Sequence, residues 1–142
     1  MSLENVETWR ASIEDLLACN NRADWEGWLS RVVERWDPDI EWDASAAPLP
    51  DIGGTYRGRD AVAHFWRDWL AAWQTTRFEY ELIDAGEQVV ALIDQRMRGR
   101  STGIEVALGK YAQIASFRNG LMLRWKLYMS QTEALKAVGL AE

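Results

Sequence analysis

Cysteine is almost absent from this chain of 142 residues. Cys19 stands alone, so no disulfide can close within the chain, and a reduced, cytoplasmic setting is the expectation. Histidine is as scarce: around His64 no second His, Cys or carboxylate falls at ligand spacing, so no metal is expected there. Glycine occurs at turns and not in the spacing of a phosphate-binding loop, so no nucleotide or other cofactor is expected. Long apolar runs are missing too; none approaches the roughly 18 residues that cross a bilayer. The opening Met-Ser-Leu-Glu-Asn-Val-Glu has neither the basic nor the apolar region of a secretion signal. Positive charge is in deficit, with 16 Lys and Arg against 22 Asp and Glu and a formal net charge of −6. That balance repels phosphate backbones and anionic membranes, so neither nucleic acid nor membrane is expected as a partner. The arginine-dense Arg96-Met97-Arg98-Gly99-Arg100 reads as exposed side chains at a hairpin mouth.

What the chain has instead is tryptophan, nine residues of it, and a change of hydrophobic period half-way along. At about 100° per residue, Val6, Trp9, Ile13, Leu16, Leu17 and Asn20 share one face of a first helix. Asp24 offers an N-cap for a second, with Trp25, Trp28, Leu29, Val32, Val33 and Trp36 at helical spacing. Asp37-Pro38-Asp39 ends that helix, because proline disfavours helical geometry before it and lacks a donor. In the short strand Ile40–Asp43, Ile40 and Trp42 share one face, and Glu41 and Asp43 the other. Residues Ala44–Gly54, with Pro48, Pro50 and Gly53-Gly54, form the longest patternless stretch: a flap near a pocket mouth or a plain surface excursion. A third helix follows Gly58, with Asp60 in its first turn; Val62, Phe65, Trp66, Trp69 and Trp73 fall in one sector, and His64 projects opposite.

From Arg77 the period drops to two. Phe78–Asp84, Val89–Gly99, Glu105–Arg118 and Leu121–Tyr128 read as strands, and Asn119-Gly120 supplies the positive φ angles of a two-residue hairpin turn. Gly109 inside the third of them marks a bulge or bend, the device that curves a sheet. Ser130-Gln131-Thr132-Glu133 is a capping box that opens a last short helix, which Gly139 can close. Helices first and a strand meander after them imply an α+β domain, a curved sheet wrapped around the N-terminal helices with an internal pocket. Alternation puts Asp94 and Arg96 on one face of their strand, and Ala91, Ile93, Gln95 and Met97 on the other; which face is inward stays open at this level.

A resemblance rests on particular residues. Asp37-Pro38-Asp39-Ile40-Glu41-Trp42, then Gly54-Thr55-Tyr56-Arg57-Gly58-Arg59-Asp60-Ala61-Val62 opening a helix, Gln95 ahead of Gly99 and Gly103, the Arg118-Asn119-Gly120 hairpin, and Tyr128 before 133–140 together resemble the SnoaL-like branch of the nuclear-transport-factor-2-like superfamily. The likeness spans nearly the whole chain, so residues 1–142 are expected to be one SnoaL-like domain. It implies a cone-shaped α+β fold, commonly a homodimer through the outer sheet face, with a deep pocket for a small hydrophobic molecule. Superfamily members include ketosteroid isomerases, polyketide cyclases, epoxide hydrolases and non-catalytic binding domains, so a cofactor-independent isomerase, cyclase or hydratase and a binding or dimerisation module are both open. If this chain is catalytic, Asp43 lies roughly where isomerase-like members place their base, and Asp94 with Arg96 resembles part of the charged set of the epoxide hydrolases. Trp42, Trp69 and Trp125 are expected to line the pocket, which favours a flat aromatic ligand, with Gln95, Tyr56 and Tyr111 offering hydrogen bonds.

Overall fold

The computed structural model describes residues 2–48 and 52–141. Helices α1 (Ser2–Leu17) and α2 (Arg22–Val32) are followed by a 3-10 turn, Val33–Arg35, and strands β1 (Trp36–Asp43) and β2 (Thr55–Arg57). Helix α3 (Arg59–Ala72) leads into β3 (Trp73–Asp84), β4 (Gln88–Gly99), β5 (Glu105–Arg118) and β6 (Leu121–Tyr128), and α4 (Gln131–Ala137) comes last. The strands form one open sheet in the order β2-β1-β6-β5-β4-β3. All neighbours are antiparallel except β1 and β6, which run parallel, so the sheet is mixed.

Local signals explain most of these boundaries. Asn119 and Gly120 have φ of 54° and 80°, and β5 and β6 pair directly across them. The Ser130 side chain accepts the Glu133 N–H, and Leu140 N–H reaches back to Leu135 O at 2.8 Å beyond the last turn of α4. Elsewhere the elements differ from the sequence reading. The cap of α2 is Asn21, whose side chain accepts from Asp24 N–H at 2.9 Å, while Asp24 accepts in return from Asn20 N–H at 2.8 Å; Asp24 is thus the reciprocal partner and not the cap. Trp73 begins β3 and does not end α3, because pairing of Trp73 with Gly99 and Thr75 with Met97 extends the sheet past the helical signal. The three-residue β2 pairs with the end of β1 and was invisible as a period of two. Pro38 lies inside β1 at a register irregularity, a place where a missing N–H is tolerated. The tip of the patternless Ala44–Gly54 stretch, including Pro50, lies outside the described residues.

Helices α1, α2 and α3 cover the concave face. Trp28 Nε1–H donates to Ser12 O at 2.9 Å, and Arg31 grips Asp15 with two bonds of 2.9 and 2.8 Å, which lock α2 onto α1. Arg59 at the start of α3 donates twice to Trp36 O, tying that helix to β1. The main core lies between this layer and the sheet. A second, smaller core sits on the convex face, where Ala134 of α4 packs with Val90, Ala112 and Ile114. The apolar outer residues of β4 and β5, expected from the resemblance to meet a partner subunit, are therefore partly covered by the chain's own last helix. Among the described residues no helix is long and apolar enough to cross a membrane.

Candidate functional site

The helices do not fill the concave face completely. A cavity of about 220 Å³ remains between α1, α2 and α3 and the inner faces of β1 and β3 to β6. Its walls are aromatic: Trp42 lies 4.7 Å from Trp125 and 5.5 Å from Trp66, centroid to centroid, and Trp66 stacks on Trp125 at 5.1 Å. Phe65 and Trp69 continue the wall with nearly parallel rings 6.4 Å apart. Offset and edge-on ring packing of this kind adds to plain area burial, by about 0.5–1.5 kcal/mol per pair.

Two bulges decide which side chains reach this space. Leu108 and Tyr111 both line it although they are three residues apart, a spacing that puts strand residues on opposite faces. The register of β4 against β5 slips between Gln95 and Arg96, where Gly109 faces Gln95 but Ala107 faces Arg96, so Leu108 is the extra residue and alternation reverses there. Gly109 has φ of 73°, as such a bulge requires. In β6 the same happens at Leu123: Ser116 pairs with Arg124 and Phe117 with Met122, and Met122 and Trp125 both turn inward.

The cavity wall is mainly apolar, and most of the polar side chains on it are already bonded. Tyr111 O–H donates to Gln95 Oε1 at 2.5 Å, and Gln95 Nε2 donates to Thr75 Oγ1 at 2.9 Å. Burial pushes the Tyr111 hydroxyl well above its ordinary value, so it stays a protonated donor. Gln113 accepts from Trp125 Nε1–H at 2.9 Å. Arg35 donates to Ser12 Oγ at 3.0 Å and Arg100 to Leu70 O at 2.6 Å, both at the cavity wall. Trp42 and Trp66 differ: their indole N–H groups are buried and have no acceptor among the described residues. Each such orphan costs about 1–3 kcal/mol. No carboxylate among the described residues lines the cavity.

Of the residues singled out from the sequence, Trp42, Trp69, Gln95, Tyr111 and Trp125 line the cavity. Tyr56 does not; its ring packs 4.9 Å from Phe65 and its hydroxyl donates to Ile52 O at 3.0 Å. Asp43, Asp94 and Arg96 do not line the cavity; alternation puts them on the other face of the sheet. Alternation along β1 buries Ile40 and Trp42 and turns Asp43 outward, where it accepts from Ser45 N–H at 3.0 Å and Ser45 Oγ–H at 2.6 Å. Partial burial works against its charge, but the two Ser45 bonds and Lys126 outweigh that and hold its carboxyl below the ordinary range. Asp94 stands in register between Glu79 and Lys110, and Arg96 is exposed. His64 is exposed on α3, 3.3 Å from Asp68. Gln113 and Leu108 were not singled out from the sequence, where Gly109 marked a bulge in β5 but the faces on either side of it depend on strand pairing. Trp66 carried a signal, its place in the apolar sector of α3, that was read only as packing.

Matches to known proteins agree with this fold. Residues 13–125 match the SnoaL-like domain model. No curated protein matches the chain. Among solved structures, a nuclear-transport-factor-2-like protein of unknown function from Burkholderia pseudomallei is 24% identical, with 96% of this chain and 98% of that one aligned at a TM-score of 0.70. A candidate isomerase from Bacillus subtilis is 16% identical over 99% of this chain and 97% of its own, at 0.72. TerC, crystallised with polyporic acid, is 18% identical over 95% and 98%, at 0.61. At these identities the structural likeness speaks for the fold alone. The open mixed sheet, its covering helices and the match over residues 13–125 together make this chain a member of the SnoaL-like domain family.

Proposed function

We propose that this protein binds a small, flat, hydrophobic molecule in the aromatic cavity between its helices and its sheet. The observation that carries the reading is the wall itself: Trp42, Trp66, Trp69 and Trp125 line a mainly apolar space with, among the described residues, no carboxylate. An apolar cavity of about 150 Å³ accommodates benzene and drug-sized sites run from about 300 Å³. A cavity of about 220 Å³ therefore suits a ligand of about two fused rings. Binding is favoured over carboxylate-base catalysis, because Asp43, Asp94 and Arg96 open onto the other face. An isomerase, cyclase or hydratase would have to work through Tyr111 and Gln95, a protonated hydroxyl with its amide partner. That TerC was crystallised with polyporic acid supports a small-molecule role for the cavity in this fold.

Titration with naphthalene, followed by ¹H–¹⁵N spectra of the tryptophan indoles, tests the reading. The Trp42, Trp66 and Trp125 signals should move, and Ala47→Trp at the cavity mouth should weaken binding at least tenfold. Unmoved indole signals at saturating naphthalene would reject it.

A homodimer through the outer face of β1 and β6 belongs to the same proposal. There Glu41, Asp43, Arg124 and Lys126 line a shallow groove in which both signs of charge lie side by side. A two-fold axis can bring such a surface against itself with opposite charges facing. A cytoplasmic location remains part of the proposal, on the strength of the single unpaired cysteine.

A further inference from the structure

Most residues around the cavity are buried or half-buried, and the exposed ones among them mark where it meets solvent. Gln74, Thr75 and Arg100 belong to that exposed rim, brought together because the start of β3 pairs with the end of β4, Trp73 with Gly99 and Gln74 with Arg98. Among the described residues Arg100 is the only charged side chain that both lines the cavity and is exposed. Two bonds fix it in place: its backbone N–H donates to Ala72 O at 2.9 Å and its Nε–H to Leu70 O at 2.6 Å, both at the C-terminal end of α3. That capping role uses only the main chain and Nε. Nη1 and Nη2 donate to no group among the described residues, and no carboxylate pairs with the guanidinium there. The other cation on the wall, Arg35, is half-buried and donates to Ser12 Oγ. Gln74 is a neutral neighbour on the rim and cannot set the sign of charge that is recognised.

We infer that Arg100 anchors a carboxylate carried by the ligand, so that the class this cavity takes is aromatic acids, with the ring inside and the charged group at the exposed rim. The inference rests on the cavity reading above and adds to it the sign of the ligand's charge, its orientation and the residue that sets both. A carboxylate buried among the tryptophans would lose its hydration without a partner, whereas at the rim it keeps water while the ring leaves it. A guanidinium held in one orientation presents its remaining N–H groups as a planar fork, which matches the two oxygens of a carboxylate.

The test compares 2-naphthylacetate with 2-naphthylacetamide, which has the same shape without the charge, by calorimetry on the intact protein at neutral pH. The acid should bind about fivefold more tightly at low ionic strength, and about half or more of that preference should disappear in about 0.5 M salt, which screens charges at an exposed rim. Arg100→Gln should remove the preference and leave the affinity for the amide within about twofold, and Arg100→Lys, which keeps the charge without the fork, should retain part of it. If Arg100 only caps α3, the affinities for acid and amide fall together in Arg100→Gln. That result, equal binding of acid and amide by the parent protein, or a preference lost in Arg35→Gln and kept in Arg100→Gln each overturns the inference, while indole signals that move with naphthalene leave the cavity reading standing. If naphthalene and both probes fail to bind, both readings fail. Should Arg100→Gln not fold, the acid–amide comparison in the parent protein and its salt dependence decide the matter.

Discussion

Arg118 holds two carboxylates at once. Its Nε and Nη2 donate to Asp37 at 3.0 and 2.8 Å, and Nη2 also donates to Asp39 at 2.9 Å, fastening the end of β5 to the irregular start of β1. The Arg118 guanidinium, with the Asp39 backbone N–H behind it, holds the Asp37 carboxyl below its ordinary range, and the pairing raises Arg118 further. A depressed folded value means that the pair's contribution is complete above the unfolded carboxylate value of about 3.9 and is lost as pH falls through the lower folded one. Asp37→Asn should therefore lower the urea midpoint at pH 7, and its gap from the parent protein should close towards about pH 3. A gap that stays constant over that range would mean that Asp37 acts through packing and not through charge. The sequence offered Asp37-Pro38-Asp39 as a helix stop; that its carboxylates face an arginine some eighty residues later depends on β1 lying beside β6 and the turn at Asn119.

At the scale of the element, the bulge at Gly109 does more for the site than any single side chain in it. It turns both Leu108 and Tyr111 inward and so brings the Tyr111 hydroxyl to Gln95. A Cβ at Gly109 meets nothing within 4 Å, so a substitution is penalised by the backbone alone, at φ of 73°. Gly109→Ala should cost about 1–2 kcal/mol in urea denaturation, and Gly109→Asn, which tolerates that conformation better, should recover part of it. Equal stability of all three would show that the bulge has relaxed, and the cavity lining with it. The same logic explains a limit of sequence reading. Alternation assigned the faces of β1 and β4 correctly as either-or sets, with Trp42 opposed to Asp43 and Gln95 opposed to Asp94. Across Leu108 and Leu123 it assigned no faces: Gly109 marked a bulge in β5, but which residue is extra, and the bulge of β6, are fixed by strand pairing.

For the whole molecule, the sheet's convex face is divided between two uses. Helix α4 covers the part made by β4 and β5, and the charged groove of β1 and β6 stays open. If that groove is the contact between two copies, sedimentation equilibrium should return twice the mass of the chain. Lys126→Glu, which sets a like charge beside Glu41 and Asp43, should then shift the equilibrium towards monomer by about tenfold or more. A monomeric parent protein at micromolar concentration would reject the dimer and leave the cavity proposal untouched.

Sequence by itself determined the order of helices and strands apart from the short β2, the Asn119-Gly120 hairpin, the Ser130 cap of α4 and the aromatic sector of α3 up to Trp69, since each is encoded by residues a few positions apart. Only the tertiary structure decided which face of the sheet is concave, that Asp43, Asp94 and Arg96 look away from it, and that Trp42 and Trp66 share one wall of the cavity. Those outcomes depend on strand pairing and helix docking between residues tens of positions apart, and on two one-residue bulges that reverse alternation, of which only the one at Gly109 left a local signal.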